Sequence, residues 1–191
     1  MTEAIEEILR FWFGPLDGGF ASESKQSLWW GGQEEHDREL DELFGRPVRR
    51  ALRGGLGDWS SNPRGRLALI LLLDQFSRSI YRGTADAFAG DSRALALCRQ
   101  GMELGHDRAL EFAERLFFYM PLEHAESLEA QDLHIDRLET LRQEVPFTRR
   151  PVIDNALDFA HQHRDLIARF GRFPHRNEAL QRISTPRNSP T

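Results

Sequence analysis

The residues Leu67-Ala68-Leu69-Ile70-Leu71-Leu72-Leu73 form an unbroken apolar run, and it constrains the fold more than any other part of the chain. A helix that is apolar on every side has to be covered on every side. The run is far short of the roughly 20 residues that a membrane-spanning helix needs. It is therefore read as the central helix of a globular protein. Asn62-Pro63 gives it a start, with a capping side chain followed by a proline at the first helical position. Arg82-Gly83 gives it an end, so the helix is expected from residue 62 to about Ile80.

The covering elements read as helices too. Residues 3–13 begin with acids that suit a helix N-terminus, and Ile5, Ile8, Leu9 and Trp12 fall on one face. Gly14-Pro15 stops that segment. Further helices are expected at 33–44, with a short turn or two around Val48–Leu52, then from Asp91 or Ser92 to about 105, and at 107–119. Two more follow at 122–144 and 151–170, with Pro151 opening the last and Gly171 closing it. No segment alternates with period two for long enough to make a strand. The expectation is an all-α stack of antiparallel helix hairpins around a central buried helix. The 191 residues, 40% of them hydrophobic, suffice for one core. Residues 1–183 are read as one domain and 184–191, rich in Pro, Ser and Thr, as a disordered tail.

Several functions are disfavoured by composition. A net charge of −5 and a pI near 5.8 do not suit a general nucleic-acid binder. The single cysteine, Cys98, cannot form an internal disulfide framework or a cysteine-based zinc site. His161-Gln162-His163 puts two imidazoles at i and i+2, on different helix faces, so no metal site is expected there. No phosphate loop, dinucleotide fingerprint or nucleophile elbow is present, and no cofactor is called for. The acidic N-terminus lacks a signal-peptide pattern, so the chain reads as cytoplasmic, with no membrane association.

Three polar segments carry the candidate chemistry. Asp74, Arg78 and Arg82 follow one another at i, i+4 and i+8 beyond the apolar run, with Gln75 beside them. Two arginines against one aspartate leave a positive surplus, suited to a carboxylate or phosphate. Met120-Pro121-Leu122-Glu123-His124-Ala125-Glu126 is read as opening a helix, with Glu123 orienting a general acid or base at His124. Gln131 and Asp132 would extend that groove. The third segment, Arg169–Asn177, mixes Phe170, Gly171, Phe173 and Pro174 with polar groups. Phe170 and Phe173 would anchor a rigid turn that presents Arg172, His175, Arg176 and Asn177.

Four motifs occur in order: Phe11-Trp12-Phe13-Gly14; Leu73-Asp74-Gln75-Phe76-Ser77-Arg78 with Arg82-Gly83; Tyr119 to Glu126; and Phe170 to Asn177. Together they resemble the bacterial family catalogued as domain of unknown function 924, from about residue 5 to 186. The resemblance implies a tetratricopeptide-repeat-like all-α fold, hairpins stacked in a right-handed arrangement around a concave surface. It implies no activity. Family members often have Ser where Ala125 stands and Gly where Gln181 stands. Three readings of function follow. One is a binding module whose Arg/His-lined pocket takes a small anion or an acidic peptide end. Another is a hydrolase-like acid–base enzyme using His124, His175 and Glu123 on a small anionic substrate. In the third the polar motifs are architectural, capping helix ends and cross-linking hairpins.

Overall fold

The computed structural model describes residues 2–184 and is all-α, with nine α-helices among the described residues. The tail expected to be disordered lies, beyond Ser184, outside the described residues. A ribbon of two residues on each side, β1 (Leu16–Asp17) and β2 (Phe20–Ala21), pairs antiparallel through Gly18-Gly19. It falls between the helices expected at 3–13 and 33–44, where no element was expected. Among the described residues, no helix is long and apolar enough to cross a membrane. The chain divides into two compact units, Met1–Pro121 and Leu122–Thr191.

In the first unit the apolar run occupies α4 (Pro63–Leu71) and a π-helical turn, Leu72–Phe76, which leads into α5 (Ser77–Ile80). The Asn62 side chain accepts the Gly65 N–H at 2.9 Å, as a capping residue before a first-turn proline should. Every residue from Gly65 to Ser77 is buried. α1 (Thr2–Phe13) and α6 (Asp91–Glu103) pack on α4, and α3 (Glu34–Leu52) packs on the π-turn and α5. The short α2 is Gln26–Trp30. Aromatic rings seal the contact: Phe76 lies 5.2 Å from Trp12 and 5.3 Å from Phe44, between centroids. Such pairs contribute about 0.5–1.5 kcal/mol beyond the area they bury.

The central helix also buries Arg66. Its guanidinium donates to Ser60 O, Leu97 O, Gln100 Oε1 and His106 Nδ1 at 2.8–3.1 Å. These acceptors satisfy a charge that could not otherwise leave water. Gly101 makes room for it. A Cβ there would stand 2.6 Å from Arg66 Cδ and 2.5 Å from Phe118 Cζ.

Two helix boundaries differ from expectation at a proline, and a third where the helix expected from residue 107 begins at Phe112 after a 3-10 turn at Asp107–Ala109. α3 continues through Pro47 as one helix instead of a helix and a separate turn. Pro47 withdraws one N–H from the carbonyl of Leu43, but Leu43 is exposed and water can replace it. Val48 and Ala51 meanwhile extend the buried face begun by Leu40 and Phe44. Likewise α7 (Phe112–Glu123) runs through Pro121 and ends at Glu123. The next helix, α8 (Leu128–Glu144), starts only after Ser127, whose side chain accepts the Ala130 N–H. Glu123 thus closes a helix, whereas the sequence suggested that it opened one.

In the second unit α8 and α9 (Arg150–Phe170) form an antiparallel hairpin. Its direction is fixed at two levels, where Arg142 pairs with Asp154 and Arg164 with Asp132. Gly171 ends α9 in the left-handed region, at φ 67°, as its position suggested. Phe173 is buried, but Phe170 is only partly covered, with the Arg169 guanidinium over its ring. Gln181 takes φ 52° in the closing turn, a conformation that favours glycine. That is a physical reason for the glycine expected there from the family resemblance.

Gly101→Ala should lose about 1–3 kcal/mol of unfolding free energy through overpacking. Gly57→Ala, where a Cβ meets nothing within 4 Å, should stay within about 0.5 kcal/mol. Urea denaturation of the two variants checks the difference.

Candidate functional site

The candidate residues fall in both units. In the first, Asp74 lies fully buried on the π-turn, with Gln75 bonded to its carboxylate. Arg78 contacts Asp74 Oδ1 at 3.0 Å and also donates to its carbonyl at 2.8 Å. It reaches Asp91, at the start of α6, at 2.9 and 3.0 Å. Arg82 makes a two-pronged contact with Asp37 in the first turn of α3, at 2.7 and 2.8 Å. The two guanidinium groups therefore face three carboxylates, where the local sequence showed one. Asp37 and Asp91 are remote in the chain, so the surplus inferred from spacing alone was miscounted. A hollow of about 450 Å³ on the outer side of α6 is lined by Arg93, Leu97, Arg99, Gln100 and Glu103, and includes none of the candidates.

The second unit holds a denser arrangement. Glu123 ends α7, where the helix dipole disfavours an acid, and its side chain is 8% exposed. Three elements meet it. His163 on α9 brings Nδ1 to 2.6 Å from Glu123 Oε1. His134 on α8 brings Nδ1 to 3.6 Å from Oε2. Gln131 on α8 is not part of an open groove. It is buried and its amide donates to the carbonyls of Glu123 and Ala125 at 2.6 and 2.9 Å. The first of these is one of the carbonyls a helix leaves bare at its end. Asp132 is taken up by Arg164.

Charge follows from this geometry. Burial pushes the Glu123 carboxyl up, but the hydrogen bond from His163 and the charges of His134, His124 and His163 outweigh it, and the net shift is downward. His134 is pushed down to about 4, first by burial and against the pull of Glu123, so it is neutral at pH 7. Glu123 therefore stays ionised, with His163 against Oε1 and the neutral His134 ring 3.6 Å from Oε2.

The Arg169–Asn177 turn joins the same unit through Phe173. His163 meets the Phe173 ring edge-on at 5.4 Å, His175 lies tilted at 5.6 Å, and the Arg176 guanidinium covers it at 4.6 Å. The backbone is clamped by Glu126, which accepts the Phe173 N–H at 2.8 Å and two bonds from Arg182 at 2.6 and 3.0 Å. Arg182 also donates to Phe173 O at 3.1 Å. Burial, then the Arg176 and His163 charges, lower the pKa of His175. Asn177 is buried and donates to Ser184 Oγ at 3.2 Å, while Arg172 is partly exposed.

The structure thus brings together Glu123, His124, His175 and Arg176 in one unit, linked by contacts or by charge. It adds His163, His134 and Arg182, which the sequence reading did not select. One signal was present for His134: it shares the buried face of α8 with Ala130, Leu138 and Leu141. His163 had none, because its partner lies on another helix. Among the described residues, no group of three or more His, Cys, Asp or Glu is disposed to hold a metal ion.

A family model described as a bacterial protein of unknown function, DUF924, matches residues 8–189. A solved structure of a protein of unknown function from Agrobacterium tumefaciens is 33% identical, with a TM-score of 0.80. That match covers 98% of this chain and 95% of the other. No curated protein matches.

Protonation of His134 should govern acid stability. Between about pH 6.5 and about pH 4 the unfolded chain binds a proton at this residue that the folded chain refuses. Stability therefore rises with pH across that window and falls as pH drops, by about 3 kcal/mol from this group. Glu123, whose folded pKa is lowered, adds a loss of the same sign at lower pH. Urea denaturation from pH 7 to pH 4 should show a shallower dependence in His134→Gln than in the wild type.

Proposed function

The chain belongs to the bacterial family DUF924, and from that premise we propose that it is a binding module for a small carboxylate- or sulfate-like anion. The site is the face of the second unit formed by His124, His163, His175 and Arg176. One observation carries this reading. The Phe173 ring gathers two imidazoles and a guanidinium around itself, at 5.4, 5.6 and 4.6 Å. Burial first, and then the nearby charges of Arg176 and His163, lower the pKa of His175 against the pull of Glu126. An anion entering the cluster would relieve the repulsion and draw protons onto the imidazoles. Arg172, on the same turn, would extend the positive rim.

The candidates of the first unit take a different part in this reading. Arg78 and Arg82, each paired with acids from other helices, act as cross-links that tie α5 to α6 and α3. Asp74 and Gln75 anchor that network inside the π-turn. A tetratricopeptide-like concavity would present the anion site to an acidic peptide end, and a cytoplasmic setting would suit such a module.

Sulfate keeps its double charge across the useful pH range and separates protein titration from ligand titration. Adding sulfate or acetate should shift the imidazole resonances of His163 and His175 in a saturable way. Because the His175 pKa is lowered from its ordinary value, sulfate affinity should rise several-fold as pH falls below about 6.5 and this imidazole protonates. His175→Ala should weaken it. Resonances unmoved by either anion would remove the proposal.

A further inference from the structure

The pairing of His163 with Glu123 goes beyond what an anion site requires. A buried carboxylate at a helix end needs donors, and an amide or a guanidinium would serve. The residue present is the one side chain that both takes and gives a proton near neutral pH. Its Nδ1 lies 2.6 Å from Glu123 Oε1, and its side chain remains 29% exposed. At that distance a proton carried on Nδ1 faces the carboxylate, and Nε2 is then left as the acceptor. The ring is held on a second side by Phe173, edge-on at an interplanar angle of 87°. Gln131 holds the Glu123 carbonyl, and the His134 ring packs 3.6 Å from the other carboxylate oxygen. An imidazole oriented by a buried carboxylate, and fixed in place, is the arrangement that general acid–base catalysis uses.

We infer that Glu123 and His163 form a proton-transfer dyad that hydrolyses a small ester bearing an anionic group. His163 is the catalytic residue and Glu123 the positioning residue. The inference rests on the anion site for substrate orientation: His175 and Arg176 would hold the anionic group beside His163. The groups facing the dyad are His134 from α8, His124 from the connection after α7, and His175 and Arg176 from the turn after α9.

The step balances with water as the co-reactant. A water molecule loses a proton to His163 Nε2 as its oxygen bonds to the carbonyl carbon. The imidazolium so formed is stabilised by the Glu123 carboxylate, which remains ionised. The bond from that carbon to the leaving oxygen then breaks, and Nε2 returns the proton to the leaving oxygen. The products are an acid and an alcohol, with no redox change.

Activated esters test this without knowledge of the natural substrate, because a competent imidazole acts on them. The probes are mono-4-nitrophenyl succinate, which carries a carboxylate, and the neutral 4-nitrophenyl acetate. The full chain should hydrolyse the succinate ester above the rate of free imidazole at equal concentration, and faster than the acetate ester. His163→Gln, at a partly exposed position, should lower kcat by about tenfold or more. Glu123→Gln should lower kcat with KM nearly unchanged, and Glu123→Asp should recover part of the loss. His175→Ala should raise KM and leave kcat within about threefold. A wild-type rate no higher than that of imidazole, or one insensitive to His163→Gln, overturns the dyad. The outcomes separate from those of the anion titration. A His163-dependent rate without preference for the anionic ester would retain the dyad and remove the anion site. Sulfate binding without a His163-dependent rate would do the reverse.

Discussion

A carboxylate removed from water at the negative end of a helix must find partners, and the second unit is arranged around that requirement. Glu123 ends α7 with its side chain almost wholly covered. An unpaired charge there would cost several kcal/mol. α9 answers with His163, α8 answers with His134, and Gln131 takes the carbonyls at the same helix end. The partners belong to two helices, so meeting the charge also fixes how those helices pack. The Arg142–Asp154 and Arg164–Asp132 pairs hold the hairpin in the same register from its exposed sides. Exposed pairs of that kind contribute only about 0–1 kcal/mol each, so the buried cluster carries more of the specification.

The turn after α9 depends on the same arrangement. Gly171 reverses the chain, and Phe173 drops into the unit against His163. Glu126 and Arg182 then lock the turn through the Phe173 N–H and carbonyl. His175 and Arg176 are carried to the ring by that lock. One ring therefore decides how close three titratable or cationic groups stand. This is how an architectural device and a site for an anion can be the same residues. Capping and clamping account for Arg182 and Gln131. They do not account for a partly exposed imidazole set against a buried carboxylate.

Much of the fold was legible because it follows from local rules. The run from Leu67 to Leu73 specified a covered helix, Asn62-Pro63 its start, and Gly171 the end of α9. Prolines 47 and 121 misled, because a proline breaks a helix only where the bare carbonyl and the buried face cannot be rescued. The site was legible by segment and not by partner. Asp74 and Arg78 at i and i+4 announced their pairing, but Asp91 and Asp37 come from other helices and altered the charge count. Glu123 was selected, yet assigned to its chain neighbour His124. Its nearest charged partner, His163, is separated from it in the chain by the whole of α8. No periodicity within one helix encodes a contact made between two.

The proton between Glu123 and His163 is the most direct test of this account. Long-range nitrogen–proton NMR correlation of the imidazoles identifies the tautomer of each neutral ring. Neutral His163 should carry its proton on Nδ1, with a downfield, slowly exchanging resonance that disappears in Glu123→Gln. A neutral His163 protonated on Nε2, or an Nδ1 proton indifferent to Glu123, would contradict the pairing on which the second unit and its chemistry rest.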